Sequence, residues 1–174
     1  MKRNLLVFAL VAIIALSVTS CGKKNEKTNT DKLCTEKGWV LKSATITPAI
    51  TVSGKTTTDF YADYLYEYEQ DDIMVFAKSG SETIKPGSKK PADDTEDGYV
   101  EDQTSTWRFN HDESVLTCQL PFVYEDAKPA RTFSPAFENC TISKLSETEM
   151  VLIYKGVFNF NKTEYTLTLT YNAK

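Results

Sequence analysis

The chain has 174 residues, 41% of them hydrophobic, and carries 20 lysines and arginines against 24 aspartates and glutamates, a net charge of −4. That balance argues against a nucleic-acid partner, which requires basic stripes to displace counterions from phosphate. It also argues against a basic face held to anionic lipid by charge alone.

Lys2 and Arg3 open the chain, and Leu5–Val18 follows as an apolar run of 14 residues, shorter than the roughly 20 that a membrane-spanning helix needs. The pattern is that of a secretory signal over residues 1–20. Val18, Thr19 and Ser20 place one aliphatic and two small side chains directly ahead of Cys21, the lipobox arrangement of bacterial lipoproteins. Its chemistry alkylates the cysteine thiol with a diacylglyceryl group, and small residues before the bond let a peptidase cut there. One acyl chain, at about 0.8 kcal/mol per buried CH₂, anchors marginally, whereas two or three anchor firmly. Cys21 is therefore the expected lipid attachment, and the membrane the first expected partner, through N-terminal acyl chains.

Residues 21–37, "CGKKNEKTNTDKLCTEK", are rich in Lys, Asn, Thr and Glu with almost no apolar side chain, which predicts a flexible tether. The folded domain is expected over 38–174, opening near Trp39. At about 135 residues it is one domain, large enough to bury a core without disulfides.

Period-two alternation dominates this domain and predicts β-strands. They are expected at 39–47, 72–77, 81–86, 103–109, 114–120, 138–145, 149–158 and 164–172, separated by turn signals such as "KSG", "HDE" and "SETE". The last strand is the clearest: Tyr165, Leu167, Leu169 and Tyr171 share one face, Thr166, Thr168 and Thr170 the other. Eight sequential antiparallel strands close into an up-and-down barrel, which removes exposed edges. One segment departs from alternation. Phe60, Tyr64 and Tyr68 recur at helical spacing, predicting one short helix from about Asp59 to Leu65 with Asp59 or Thr58 as N-cap. The fold class is thus all-β, an antiparallel barrel of about eight strands with one short helix.

With Cys21 lipidated, Cys34, Cys118 and Cys140 are left. Cys118 and Cys140 fall in successive strands, and either a bridge or two small buried thiols fits them. "SGKTTT" at 53–58 ends like a phosphate-binding loop but has Ala49 where that loop needs glycine. Asp93, Thr95, Asp97 and Gly98 trace part of a calcium loop, with Thr104 in place of its bidentate glutamate. His111 is the sole histidine and sits in an expected turn beside Asp112 and Glu113, a poor setting for a general base. No catalytic residue, metal site or cofactor is therefore expected. Trp39, Trp107, Phe109 and Tyr154 are the aromatics that would line, or simply fill, a barrel interior. Tyr61, Tyr64, Tyr66 and Tyr68 would lid its mouth or cap one end.

The stretches "GWVLKSATI", "TDFYADYLYEYEQDDIMVFAKSG", "STWRFNHDESVLTC" and "ISKLSETEMVLIY" cover most of residues 38–154 in order. In them the chain resembles the lipocalin-like lipoproteins of Gram-negative bacteria. The resemblance implies a small barrel on a lipid tether at the outer membrane, its mouth a ligand site, and carries over no functional residue beyond Cys21. Tyr68 or Glu69 stands where many such proteins are expected to have a cysteine. The run Gly22–Glu26 is not acidic and leaves both the periplasmic and the outer face open. Two functions follow: a non-enzymatic barrel that binds a small apolar ligand or glycan, or a module docking on an outer-membrane protein partner.

Overall fold

The computed structural model describes residues 26–52, 54–90, 102–120, 137–157 and 163–174. The expected signal segment and Cys21 lie outside the described residues. Among the described residues ten strands and two short helices follow in chain order: α1 (Asn29–Leu33), β1 (Trp39–Val52), β2 (Lys55–Asp59), α2 (Phe60–Asp63), β3 (Ile73–Phe76), β4 (Ser81–Lys85), β5 (Gln103–Thr106), β6 (Arg108–Phe109), β7 (Val115–Gln119), β8 (Phe137–Leu145), β9 (Glu149–Val157) and β10 (Glu164–Ala173).

All pairings are antiparallel, in the order β5-β4-β3-β1-β10-β9-β8-β7-β6, with β2 added beside β1. The path nearly closes on itself. Its two edges, β5 and β6, are separated in sequence by Trp107 alone, so the stretch 103–109 bonds β4 with its first half and β7 with its second. The fold is an all-β barrel with a short helix at Phe60–Asp63, capped by the Asp59 carboxylate accepting from Ala62 N–H at 3.0 Å.

Inward faces follow the alternation expected from the sequence. Tyr165, Leu167, Leu169 and Tyr171 of β10 are buried, as are Met150, Leu152 and Tyr154 of β9. In β1 the inward set is Trp39 and Leu41, then Ala44 and Ile46. A bulge between Leu41 and Ser43 absorbs one residue and restores the inward phase. A second bulge between Ile142 and Lys144 does the same in β8. β2 was not expected. It takes the threonine-rich stretch after Gly54 back along β1, pairing Thr51 with Thr56 and Val52 with Lys55, so the "KTTT" of the phosphate-loop-like run is a hairpin arm and its Lys55 pairs with Asp63 at 2.6 Å.

The short turns at 77–80, 110–114 and 146–148 lie at one end of the barrel, together with the first residue of β1 and the last of β10. α1 closes that end, which corrects the expectation of a flexible tether up to residue 37. Thr28 and Asp31 form a reciprocal capping box. Asp31 pairs with Lys78 at 2.6 Å and Lys27 with Glu147 at 2.7 Å, one on each flanking turn. Leu33, the aliphatic side chain of the polar stretch, is fully buried in the core. Its carbonyl accepts from the Trp39 indole N–H at 2.7 Å. Gly38, between helix and strand, adopts φ +78°, and a Cβ there would stand 2.7 Å from the Met74 carbonyl oxygen. Only glycine permits so close a passage of the chain.

Leu33→Ala is expected to cost about 2–5 kcal/mol in urea unfolding, the range for a core leucine. A loss near zero would mean that residues 28–37 are a tether after all.

Candidate functional site

The inward faces of β4, β5, β7, β8 and β10 bring together a polar group inside an otherwise apolar barrel. On β4, Glu82 shares its face with Ile84, and it is 0% exposed. One carboxylate oxygen, Oε2, accepts from the Gln119 backbone N–H at 2.8 Å and from the Ser105 hydroxyl at 3.1 Å. The physical cause is the barrel seam. The β6–β7 ladder ends at Arg108 and Thr117, and beyond it Gln119 N–H is met by the Glu82 side chain instead of a strand. The other oxygen, Oε1, has no hydrogen-bond partner, and neither has the buried Tyr171 hydroxyl.

Cys118 and Cys140 lie beside them. Leu116 faces Cys140 and Cys118 faces Glu138 across the β7–β8 ladder, so the two cysteines are diagonal neighbours on the inner face, and both are fully buried. Both are free thiols here, the second of the two alternatives the sequence offered. The hydrogen-bonded Cys140 thiol, burial and the nearby Glu82 and Glu138 carboxyls push Cys118 well above the usual thiol range. It is a neutral thiol, and only a thiolate is a good nucleophile or metal ligand. Among the described residues no cluster of His, Cys, Asp and Glu is placed to hold a metal ion. His111 is exposed in the 110–114 turn, and the calcium-like run 93–101 lies outside the described residues.

Burial pushes Glu82 up to about 7, against the opposing effect of the Gln119 N–H and the Ser105 hydroxyl. Tyr171 is likewise raised well above its ordinary value, by burial first and then by Cys118, Cys140 and Glu82. Higher on the barrel a second polar pair is formed by Tyr154 and Tyr165, ring centroids 6.0 Å apart. Burial, the Tyr165 hydroxyl and the Glu138 carboxylate raise Tyr154. Gly156 makes room for this pair, since a Cβ there would fall 2.6 Å from the Tyr165 ring.

The four aromatics expected to line a ligand site are not gathered in one place. Trp39 is held to Leu33 by its indole N–H at the closed end. Trp107 is tied to the 77–80 turn twice, by its backbone N–H to Gly80 O and by its indole N–H to Ala77 O, both at 2.9 Å. Phe109 meets Trp107 edge-on at 5.3 Å, and Tyr154 belongs to the tyrosine pair. Of the tyrosines around α2, Tyr64 stacks on Phe60 at 4.4 Å and Tyr66 on Tyr68 at 5.4 Å. Glu82 and Tyr171 were missed as site residues. The alternation in "SETIK" does put Glu82 on the same face as Ile84, and that was the available signal.

Compared with protein-family models, curated proteins and solved structures, the chain matches none.

Glu82 makes stability pH-dependent in a definite direction. Its folded value, about 7, exceeds the ordinary 4.5, so between those limits the native state holds a proton that the unfolded state has lost. Stability therefore falls by about 3 kcal/mol as pH rises through that window and is level above it. Asp31, Asp63 and Asp112 are lowered by hydrogen bonds from Lys78, Lys55 and Ser114, so their contributions are lost only at lower pH. Glu82→Gln keeps an acceptor for Gln119 N–H and removes the charge. Urea unfolding from pH 4.5 to 8 should show the fall in the parent chain and a flat profile in the variant.

Proposed function

We propose that the chain is a non-enzymatic, lipid-anchored barrel of the lipocalin-like lipoprotein kind, holding a small apolar ligand at the outer membrane. The observation that carries the reading is the pair of orphaned atoms, Glu82 Oε1 and Tyr171 Oη, facing the interior of a barrel that α1 closes at one end. Buried polar groups are nearly always satisfied. A guest with an apolar body and a hydrogen-bonding head supplies what these two lack. An apolar ligand is favoured over a glycan because the buried inward positions are mostly aliphatic or aromatic, whereas a sugar needs many convergent donors and acceptors.

The anchor rests on the sequence around Cys21. At no more than about 3.6 Å per residue, the chain from Cys21 to Thr28 reaches about 25 Å at most. An acylated Cys21 would therefore hold the α1 end of the barrel close to the bilayer surface. Tyr66, 48% exposed on its stack with Tyr68, supports the second reading, a module that docks on an outer-membrane protein.

Cys21→Ser is expected to shift the chain from the membrane fraction to the soluble fraction of its own cells; unchanged sedimentation with membranes would remove the anchor. Native mass spectrometry of the full chain, released gently from those membranes, should show a retained small molecule. A retained protein with no small molecule would overturn ligand binding in favour of docking.

A further inference from the structure

Among the described residues the charge inside the barrel is of one sign. Glu82 is fully buried and Glu138 half-buried on the same inner face. Among the described residues no lysine or arginine is buried, and the strand cations Lys42, Lys55, Lys85, Arg108, Lys144 and Lys155 are all exposed. Among the described residues the groups around Glu82 are a serine hydroxyl, the Cys118 and Cys140 thiols and the Tyr171 phenol. None supplies a positive charge. A guest whose head is a carboxylate would face two acids in a medium of low dielectric with no cation among the described residues to offset them, which is strongly unfavourable. A guest whose head is an ammonium would give Glu82 Oε1 the donor it lacks and neutralise it at once.

We infer that the barrel selects ligands with an apolar body and a protonated amine head, and rejects fatty-acid anions, with Glu82 as the residue that receives the ammonium and Tyr171 as its hydrogen-bonding neighbour. The two orphaned atoms divide the work. Glu82 Oε1 accepts from the ammonium, and the Tyr171 hydroxyl, free as donor and acceptor, takes a second N–H. An alcohol of the same length can bond both atoms but leaves the Glu82 charge uncompensated, so it ranks between amine and acid. This inference rests on the ligand-binding reading above and adds the class of ligand.

The test uses three probes of one length, hexylamine, hexan-1-ol and hexanoate, titrated calorimetrically at pH 8 into the full chain held in phosphatidylcholine nanodiscs, with empty nanodiscs as the blank. The amine should bind at least about tenfold more tightly than the alcohol, and hexanoate should give no heat above the blank. Glu82→Gln should bring the amine to the affinity of the alcohol while alcohol binding persists, which also shows that the variant is folded. Tyr171→Phe should weaken amine and alcohol together. Hexanoate binding as well as the amine, or an amine affinity untouched by Glu82→Gln, would overturn the inference and leave ligand binding standing. Binding of none of the three would overturn ligand binding itself.

Discussion

The barrel depends on a single stretch, Gln103–Phe109, serving two sides of the sheet. Its first half bonds β4 and its second half bonds β7, and Trp107 is the pivot. A strand that changes partner leaves donors behind at the point of change. Trp107 N–H and its indole N–H are both taken up by the 77–80 turn, and Gln119 N–H, past the end of the β6–β7 ladder, is taken up by Glu82. An unpaired N–H at this depth would cost on the order of 1–3 kcal/mol, and a carboxylate is the strongest acceptor a side chain offers. Closure of the seam thus puts an acid where its neighbours are otherwise apolar.

That placement explains the chemistry of the interior. A carboxylate has two oxygens and the seam uses one. Oε1 is left without a partner, its group raised to about 7 by burial, near the Tyr171 hydroxyl and the Cys118 and Cys140 thiols. Among the described residues no group of His, Cys, Asp and Glu is placed to hold a metal ion, and the Cys118 thiol is raised well above its usual range. What the interior does have is unmet hydrogen-bonding capacity and negative charge. Both are what the proposed donor-bearing guest would meet.

The strands were legible in the sequence because one face of each is buried and the other is wet, so β3 to β10 fall within a residue or two of the alternation. The bulges at Leu41–Ser43 and Ile142–Lys144 were not legible, since a phase shift of one residue changes no composition. α1 was obscured by its surroundings: a polar stretch with one leucine looks unable to bury anything, yet Leu33 needs only one slot in the core, and "TNTD" carries the capping box that starts the helix. Glu82 was obscured for a different reason. Inward-facing acids are rare enough that alternation is read for its apolar members, and the seam that requires an acceptor there is a tertiary feature. The aromatics misled in the opposite direction, because an indole N–H that is paired within the fold looks the same in sequence as one that awaits a ligand.

The docking of α1 links this interior to the proposed attachment. A tether running freely to residue 37 would let the barrel tumble over its anchor, with either end toward the bilayer. The chain is instead held to the barrel from Lys27 onward by Glu147, Lys78, the Leu33 slot and the Trp39 indole, six residues after Cys21. Exposed ion pairs contribute little on their own, so the buried leucine and the indole hydrogen bond carry that constraint. An anchor so short would turn the α1 end to the membrane and the strand ends that bear the longer connections away from it. The interior would then be reached from the aqueous side, and a guest must leave water to enter. A short amphiphile whose ammonium keeps it soluble outside, and whose charge is met by Glu82 inside, satisfies both halves of that path.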